Sequence, residues 1–245
     1  MFKVPWSDYT GSLVQGLLHT LEYTALGFAG AVILGLAVAL LRMNRLRIVR
    51  LPATIYTEVF KNIPLLAIIF ITYFGLTSVG VKLSALEAGS LSMVIFYAAY
   101  LSEIFRSALA GVHDGQRESA HALGLSGLGT LTHVVFPQAL RLALPGTNTM
   151  LVDLLKSTSL LVTISAAELM TQAQLITSDT FRALEVYIVI AAIYFAVCYP
   201  LSQALLWLER RVRAGTPLFP GRRRRLRKAR ALLAVAEAEP VLEAK

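Results

Sequence analysis

The residues of this chain best suited to chemistry are opposite charges embedded in apolar sequence. Three pairs stand three residues apart: Glu58 with Lys61, Glu103 with Arg106, and Asp153 with Lys156. On a helix this spacing puts both members on one face, where they can neutralise each other. An ionisable side chain in hydrocarbon is costly and usually faces protein or a water-filled cavity. Two interpretations stay open: structural pairing near helix ends, or a solute path at Glu58, Lys61, Asp153 and Lys156.

Other kinds of chemistry find no support in the residue types. Cys198 is the single cysteine, so no internal disulfide can form, and no cluster has the spacing of metal ligands. The sequence contains no GxxxxGK[ST] phosphate loop, so the chain is not expected to hydrolyse nucleotides. We therefore expect a chain that is not an enzyme and that binds no metal or cofactor of its own.

The elements that must position these charges are membrane helices. Of the 245 residues, 56% are hydrophobic and 16% are charged, and the mean hydropathy is +0.64. Soluble domains are about 45–50% apolar and about 25% charged. The composition therefore predicts an all-α integral membrane protein.

Five segments are long and apolar enough to cross a bilayer. A hydrocarbon core of about 30 Å requires about 20 mostly apolar residues per helix. The second segment begins with Pro52, a residue suited to the first turn of a helix. The predicted spans cover residues 18–41, 52–76, 88–110, 142–161 and 183–208.

The orientation follows from the distribution of positive residues between the spans. Four arginines lie between residues 42 and 50, whereas Lys82 in the next loop is balanced by Glu87. Basic residues in short loops favour the cytoplasmic side. The sequence therefore predicts an N-terminus outside, a C-terminus inside and a cytoplasmic loop at about 111–141. No secretory signal peptide is evident, so the first span is expected to act as the targeting signal.

The net charge of +8 comes from the end of the chain. Residues 210–245 hold 11 basic and 3 acidic residues, and the charges before them cancel. A basic run directly after a span is typical of a cytoplasmic anchor near anionic lipid. The run at 222–228 has no interleaved aromatic residues, so nucleic-acid binding is not expected. We divide the chain into a membrane domain, 1–213, and a basic cytoplasmic tail, 214–245.

The cytoplasmic loop is longer than a connector needs to be. Residues 116–123 can form a short helix, with Asp114 placed to cap its start and Gly124 placed to end it. Such a helix at the membrane face is suited to a groove on another protein. By physical argument alone, a helix resting on lipid is an equal alternative.

The residues of this loop resemble the docking signature of a transporter family. Glu118-Ser119-Ala120, Gly124, Val134 and Phe136-Pro137 follow the spacing of the EAA signature of ATP-binding-cassette (ABC) importer permeases. The stretches EVFKNIPLLAIIFITYFGL at 58–76 and TFRALEVYIVIAAIYF at 180–195 are similar to the polar amino-acid branch, which includes the histidine, glutamine, arginine and opine permeases. The resemblance extends from Gly11 to Arg213.

This resemblance implies a five-span type I importer fold in the bacterial cytoplasmic (inner) membrane. The expected partners are an ABC ATPase dimer that uses ATP and Mg²⁺, a second permease subunit, an extracytoplasmic solute-binding protein, an amino-acid substrate and the lipid bilayer. The residues expected to couple to the ATPase are Gln116, Glu118, Ser119, Ala120, Gly124 and Pro137.

A substrate path is expected between the two permease subunits, along the second and fourth spans. Hydroxyl groups can both donate to a carboxylate and accept from an ammonium group. They can also bond to backbone carbonyls one turn back, which is the equal alternative. The candidates are Lys61, Asn62, Tyr73, Lys156, Ser157, Thr158 and Ser159.

Several further interpretations remain open. Many relatives carry an acidic residue where Ser157 follows Lys156, so an arginine-type substrate is less expected here. Glu168 and Asp179 fall in the predicted outer loop, where an external binding protein would dock. The alternatives to an amino-acid importer are an ion-coupled secondary carrier, a membrane adaptor without transport, and an ABC permease for another small solute. Five spans without an evident inverted repeat fit a secondary carrier poorly.

Overall fold

The structure, a computed structural model, describes residues 4–213 of the chain. Within these residues it consists of helices and their connections. The helices are α1 Trp6–Arg42, α2 Arg47–Asn62, α3 Leu65–Ser78, α4 Ala85–Ala110, α5 Asp114–Ala122, α6 Gly127–Ile164, α7 Leu169–Thr180 and α8 Ala183–Arg213. The predicted basic tail, 214–245, lies outside the described residues.

The centre of the fold is the contact between α1 and α4. Small residues recur every four positions on α1, at Gly27, Ala31, Gly35 and Ala39, and both alanines are fully buried. A Cβ atom added to Gly35 would lie 2.9 Å from the Cβ of Leu101. Small residues allow two membrane helices to approach closely, so dispersion contacts between them are maximised. This stripe makes α1 and α4 the scaffold for the other helices.

The predicted second span is broken. Helix α2 ends at Asn62 and α3 begins at Leu65, with a bend of 107° between them, so the predicted span 52–76 is not one straight helix. The residue before a proline is restricted to extended conformations, and Ile63, which precedes Pro64, has φ −99° and ψ 134°. Pro52, expected in the first turn, lies inside α2, which begins at Arg47. Pro64 therefore marks a change in the direction of the chain between α2 and α3.

The other helix bounds differ from the predicted spans mainly at their starts. Helix α1 begins at Trp6 and not near residue 18, while α4 and α8 begin within three residues of the prediction. Helix α6 begins at Gly127, so much of the predicted loop at 111–141 is helical. In the described part, α1, α4 and α8 are long and apolar enough to cross a membrane by themselves. Five crossings result if each bent pair, α2 with α3 and α6 with α7, is one span. The orientation stays a prediction.

Two apolar clusters organise the packing. The larger one joins α1, α4 and α6 around fully buried side chains such as Met93, Leu101 and Leu154. The smaller one joins α7 and α8 to the start of α1 through residues such as Leu169, Ile176 and Ile190. Helix α6 belongs to the first cluster and α7 belongs to the second, so the connection at 165–168 joins the two clusters.

Candidate functional site: the short helix α5 and the polar face of α4 and α6

Helix α5 begins with a different cap from the one expected. His113 occupies the capping position, and its Nδ1 accepts a hydrogen bond from the backbone N–H of Gly115 at 3.1 Å. Asp114 is the first residue of the helix, where its negative charge favours the helix N-terminus. The expectation of Asp114 as the cap is therefore wrong by one position.

Gly124 ends helix α5 as the sequence predicts. The backbone N–H of Leu125 donates to the carbonyl of Ala120 at 3.1 Å, and that of Gly124 to His121 at 2.9 Å. This pattern is the Schellman motif, which requires a left-handed residue after the last turn. Gly124 has φ +79°, and an added Cβ atom would meet no atom within 4 Å. Glycine is required here because of its backbone conformation, and not because a larger side chain would clash with its neighbours.

Helix α5 is attached to both of the helices that flank it. Arg117 Nη2 donates to the carbonyl of Leu109, at the end of α4, at 2.9 Å. Gln138 Nε2, on α6, donates to Gln116 Oε1 at 3.1 Å. Because α5 is tied to α4 and α6, a force applied to α5 reaches both of these helices.

The remaining residues that were expected to couple to the ATPase differ in exposure. Glu118 and Ser119 are exposed, whereas Ala120 is 3% exposed and packs against its own chain. Pro137 is also exposed and follows a π-helical turn, Leu131–Val135. Proline has no N–H to donate and its ring crowds the carbonyl four residues back, so a widened turn accommodates it within α6. Glu118 and Ser119 therefore lie on an exposed surface of α5, which also includes Gln116, His121 and Ala122.

The three charged pairs of the sequence have three different outcomes. Glu103 Oε1 accepts from Arg106 at 2.5 Å, and its Oε2 accepts from Arg42 of α1 at 2.6 Å, so this pair is a structural cluster. Asp153 Oδ1 lies 4.0 Å from Lys156 Nζ, and both side chains are more than half exposed. For Glu58 and Lys61 the structure records no ion pair among the described residues.

Tyr97 is a candidate site residue that the sequence does not single out. Its hydroxyl lies 2.9 Å from Asp153 Oδ2, to which it donates, and 2.8 Å from the Ser157 hydroxyl, so α4 and α6 meet at three polar side chains. Tyr97 is 1% exposed. A buried tyrosine hydroxyl needs a polar partner, and Tyr97 within the apolar third span was the available signal.

The predicted path residues of the second span lie beside the same helix. Lys61 is half-buried, and its carbonyl accepts from the hydroxyl of Tyr100, one turn after Tyr97, at 3.1 Å. Asn62 is exposed and its Nδ2 donates to the carbonyl of Glu58 at 2.7 Å, closing the last turn of α2. Tyr73 packs edge-on against Phe74 at the surface of the main core. Lys61 and the residues at 153–157 are thus both hydrogen-bonded to α4.

The hydroxyl side chains at 157–159 of the fourth span make different kinds of hydrogen bond. Thr158 is fully buried and donates to the carbonyl of Leu155 at 2.7 Å, and Ser159 donates to the carbonyl of Lys156 at 2.8 Å. These two follow the backbone-bonded alternative, whereas Ser157 is bonded to Tyr97. Lys156 and Ser159 also line a cavity of about 300 Å³ between α6 and α8, together with Met170, Tyr187, Ile190, Ala191 and Tyr194.

Glu168 is not part of an exposed docking surface. Its side chain is fully buried and caps α7, where it accepts from the backbone N–H groups of Met170 and Thr171. The expectation that this residue contacts an external protein is therefore wrong. Asp179 is exposed near the end of α7. Among the described residues the structure shows no group of three or more His, Cys, Asp or Glu side chains that could hold a metal ion.

Together these features define a class of protein. A bundle of membrane-length helices carries exposed opposite charges on one face and a short, exposed, well-anchored helix at one end. Such an arrangement can bind a charged solute and receive force from a partner. This is the architecture of the membrane subunit of a transport system.

Comparison with known proteins gives the family. Residues 31–214 match the model of the binding-protein-dependent transport system inner membrane component, so the chain belongs to this family. The chain is 34% identical over 205 residues to the probable glutamine ABC transporter permease protein GlnM of Bacillus subtilis, covering 84% of this chain and 95% of that protein. It is 34% identical over 203 residues to the glutamine transport system permease protein GlnP of Escherichia coli K12, covering 82% and 93%.

Solved structures agree with this assignment. The crystal structure of an amino acid ABC transporter with histidines superposes with a TM-score of 0.80 at 34% identity, covering 86% of this chain and 99% of that one. An inward-facing MetNI methionine ABC transporter superposes with a TM-score of 0.72 at 18% identity, which supports the fold alone. The all-α type I importer permease fold and a location in the inner membrane are thus confirmed.

Proposed function

We propose that this chain is the membrane subunit of an ATP-driven importer of polar amino acids. It would act with an ATPase dimer, a second permease subunit and an external solute-binding protein. ATP and Mg²⁺ would be bound by the ATPase, and this chain would hold no cofactor. The observation that carries the proposal is the attachment of the exposed helix α5 to both α4 and α6, the helices that carry Tyr97, Asp153 and Lys156.

The coupling step follows from this attachment. The Glu118–Ser119 face of α5 would dock into a cleft on the ATPase, and Gly124 would let the chain turn back without disturbing the contact. When the ATPase dimer closes, α5 would move as a rigid unit, because its backbone hydrogen bonds are completed at both ends. Arg117 and Gln116 would transmit this motion to α4 and α6.

The amino-acid cargo is supported by the charges on α6. A zwitterion needs a positive group for its carboxylate and a negative group for its ammonium. Lys156 Nζ and Asp153 Oδ1 are 4.0 Å apart, more than half exposed, and only weakly engaged with each other. The cavity of about 300 Å³ beside Lys156 is of the size that a small ligand needs. The names of the relatives, which include glutamine and other amino-acid permeases, point to the same cargo class.

The experiment that tests this proposal is reconstitution of the complete importer in liposomes. Uptake of radiolabelled glutamine, histidine and arginine is measured with ATP inside the vesicles. We expect uptake of at least one of the three, lost when Glu118 is replaced in the variant Glu118→Lys and the ATPase no longer co-purifies.

A matched pair of lysine variants tests the cargo site. Lys156→Met should raise the substrate concentration for half-maximal uptake by about tenfold, the loss of one charge-assisted hydrogen bond. Lys82→Met, which removes an exposed lysine before α4, should change it by less than about twofold. Equal effects of the two variants would contradict a cargo role for Lys156.

A further inference from the structure

The buried carboxylate of Glu168 is the strongest feature that the transport cycle described above does not use. Its Oε1 accepts from the backbone N–H and the hydroxyl of Thr171, at 2.7 and 3.1 Å. Its Oε2 accepts from the backbone N–H of Met170 at 2.8 Å and from the hydroxyl of Tyr194 at 3.1 Å. All four partners donate hydrogen bonds, so an ionised carboxylate can accept from each of them. A glutamine amide could not, because its NH2 group is itself a donor and would face at least one of these donors.

Glu168 also lies where three helices meet. It precedes α7 directly and is bonded to Tyr194 of α8, and the backbone N–H of Leu169 donates to the buried Thr20 hydroxyl of α1 at 3.1 Å. A charge buried at such a junction is costly unless every hydrogen bond is kept. Glu168 therefore fixes the relative positions of α7 and α8 more tightly than apolar contact would.

One oxygen of Glu168 holds two residues of the Lys156 cavity. The partners of Oε2, Met170 and Tyr194, both line this cavity, and Lys156 and Ser159 line it from α6. The Glu168 side chain itself is fully buried and is not among the lining residues. The width of the cavity between α6 and the pair Met170 and Tyr194 thus depends on a residue that does not reach it.

We propose that Glu168 is a positioning residue for cargo binding, acting through Met170 and Tyr194 on the cavity beside Lys156. This inference rests on the proposed function, because it takes the Lys156 cavity as the place where the cargo carboxylate binds. Loss of the carboxylate would let Tyr194 move away from Met170, so cargo would bind more weakly while helix α5, at the other end of α6, kept its contacts.

The test measures the concentration of amino acid for half-maximal uptake (KM) and the maximal rate separately in the reconstituted importer. The probe is whichever of radiolabelled glutamine, histidine and arginine the unmodified complex imports. We expect Glu168→Gln to raise KM by about fivefold or more with a maximal rate within about twofold, as for the loss of about one hydrogen bond. Tyr194→Phe should give most of the same increase, and the double variant should add little to it.

Two control variants match these substitutions. Glu22→Gln makes the same change at an exposed glutamate of α1, and Tyr199→Phe makes it at an exposed tyrosine of α8. Both should leave KM within about twofold of the unmodified value. Tyr194→Phe removes a single hydroxyl and keeps the ring, so it serves as the decisive variant where Glu168→Gln fails to fold.

Three results would overturn the inference. The first is a fall in maximal rate with KM unchanged in Tyr194→Phe. The second is a double variant whose effect is the sum of the two single effects. The third is an unmodified importer that takes up none of the three probes, which would refute the proposed cargo before any variant is made and would remove the basis of this inference with it.

Discussion

The hydroxyl of Tyr97 donates to Asp153 Oδ2 at 2.9 Å, across 56 positions of sequence. The same hydroxyl lies 2.8 Å from Ser157 Oγ, so one side chain of α4 orients two residues of α6. The short helix α5 is hydrogen-bonded to these same two helices. Relative movement of α4 and α6 would therefore change the Tyr97 contacts, and this links the position of α5 to the arrangement of the charged side chains.

Removing the Tyr97 hydroxyl should weaken cargo binding. Tyr97→Phe deletes both hydrogen bonds, each worth about 1 kcal/mol, and leaves Asp153 free to swing towards Lys156. We expect KM for uptake to rise by about tenfold, with a small decrease in thermal stability in detergent. Tyr199→Phe is the control, since Tyr199 is exposed and stacks on Phe195. An unchanged KM in Tyr97→Phe would show that the Tyr97 contact with Asp153 does not contribute to cargo binding.

Replacing Gly124 should impair coupling through the backbone alone. Gly124→Ala forces a side chain into a left-handed conformation at a cost of about 1 kcal/mol, although the space for a Cβ atom is open. Gly124→Asn should be milder, because asparagine tolerates this conformation better. Co-purification of the ATPase and uptake rate are the measurements.

Gly127→Ala is the matched control for Gly124. Gly127 also has open space around an added Cβ atom, and it begins α6 without a positive φ. We expect uptake in Gly127→Ala to equal that of the unmodified importer. The assignment of Gly124 fails if the two alanine variants behave alike.

Neutralising Glu103 should destabilise the chain. Glu103→Gln leaves the guanidinium of Arg42, whose side chain is 9% exposed, without a counter-charge. Breaking a largely buried pair by removing one partner is costly, and we expect a loss of about 2 kcal/mol because Glu103 is partly exposed. Thermal unfolding in detergent measures this loss. Glu22→Gln, in a pair that is nearly half exposed on both sides, should change the midpoint little.

The small-residue stripe of α1 should not tolerate enlargement. In Gly35→Ala the new Cβ atom would lie 2.9 Å from Leu101 Cβ and 3.1 Å from the carbonyl oxygen of Ala98, so the two helices must separate. We expect a destabilisation of about 1–3 kcal/mol. Gly11→Ala, on the same helix with nothing within 4 Å, should instead stabilise by about 1 kcal/mol through helix propensity. A Gly35→Ala variant as stable as the unmodified chain would refute close packing of α1 on α4.

The sequence by itself determined the features that depend on neighbouring residues. Apolar composition fixed the membrane class, because each span must bury its own surface in lipid. The end of α5 at Gly124 was predictable, since a helix cap is a local requirement. The extended conformation before Pro64 is likewise a local requirement, and the spacing around Glu118 was sufficient to identify the family.

Only the tertiary structure decided which distant groups meet. Arg42 joined Glu103 and Arg106, and Tyr97 joined Asp153, because α1, α4 and α6 pack together, and no local pattern encodes that choice of neighbours. The 107° angle at Pro64 likewise depends on where α2 and α3 each find contacts on α4. Glu168 was expected on an exposed surface because it falls between the fourth and fifth predicted spans, in the predicted outer loop. Its burial is set by α1 and α8, which lie far from it in the chain and close to it in space.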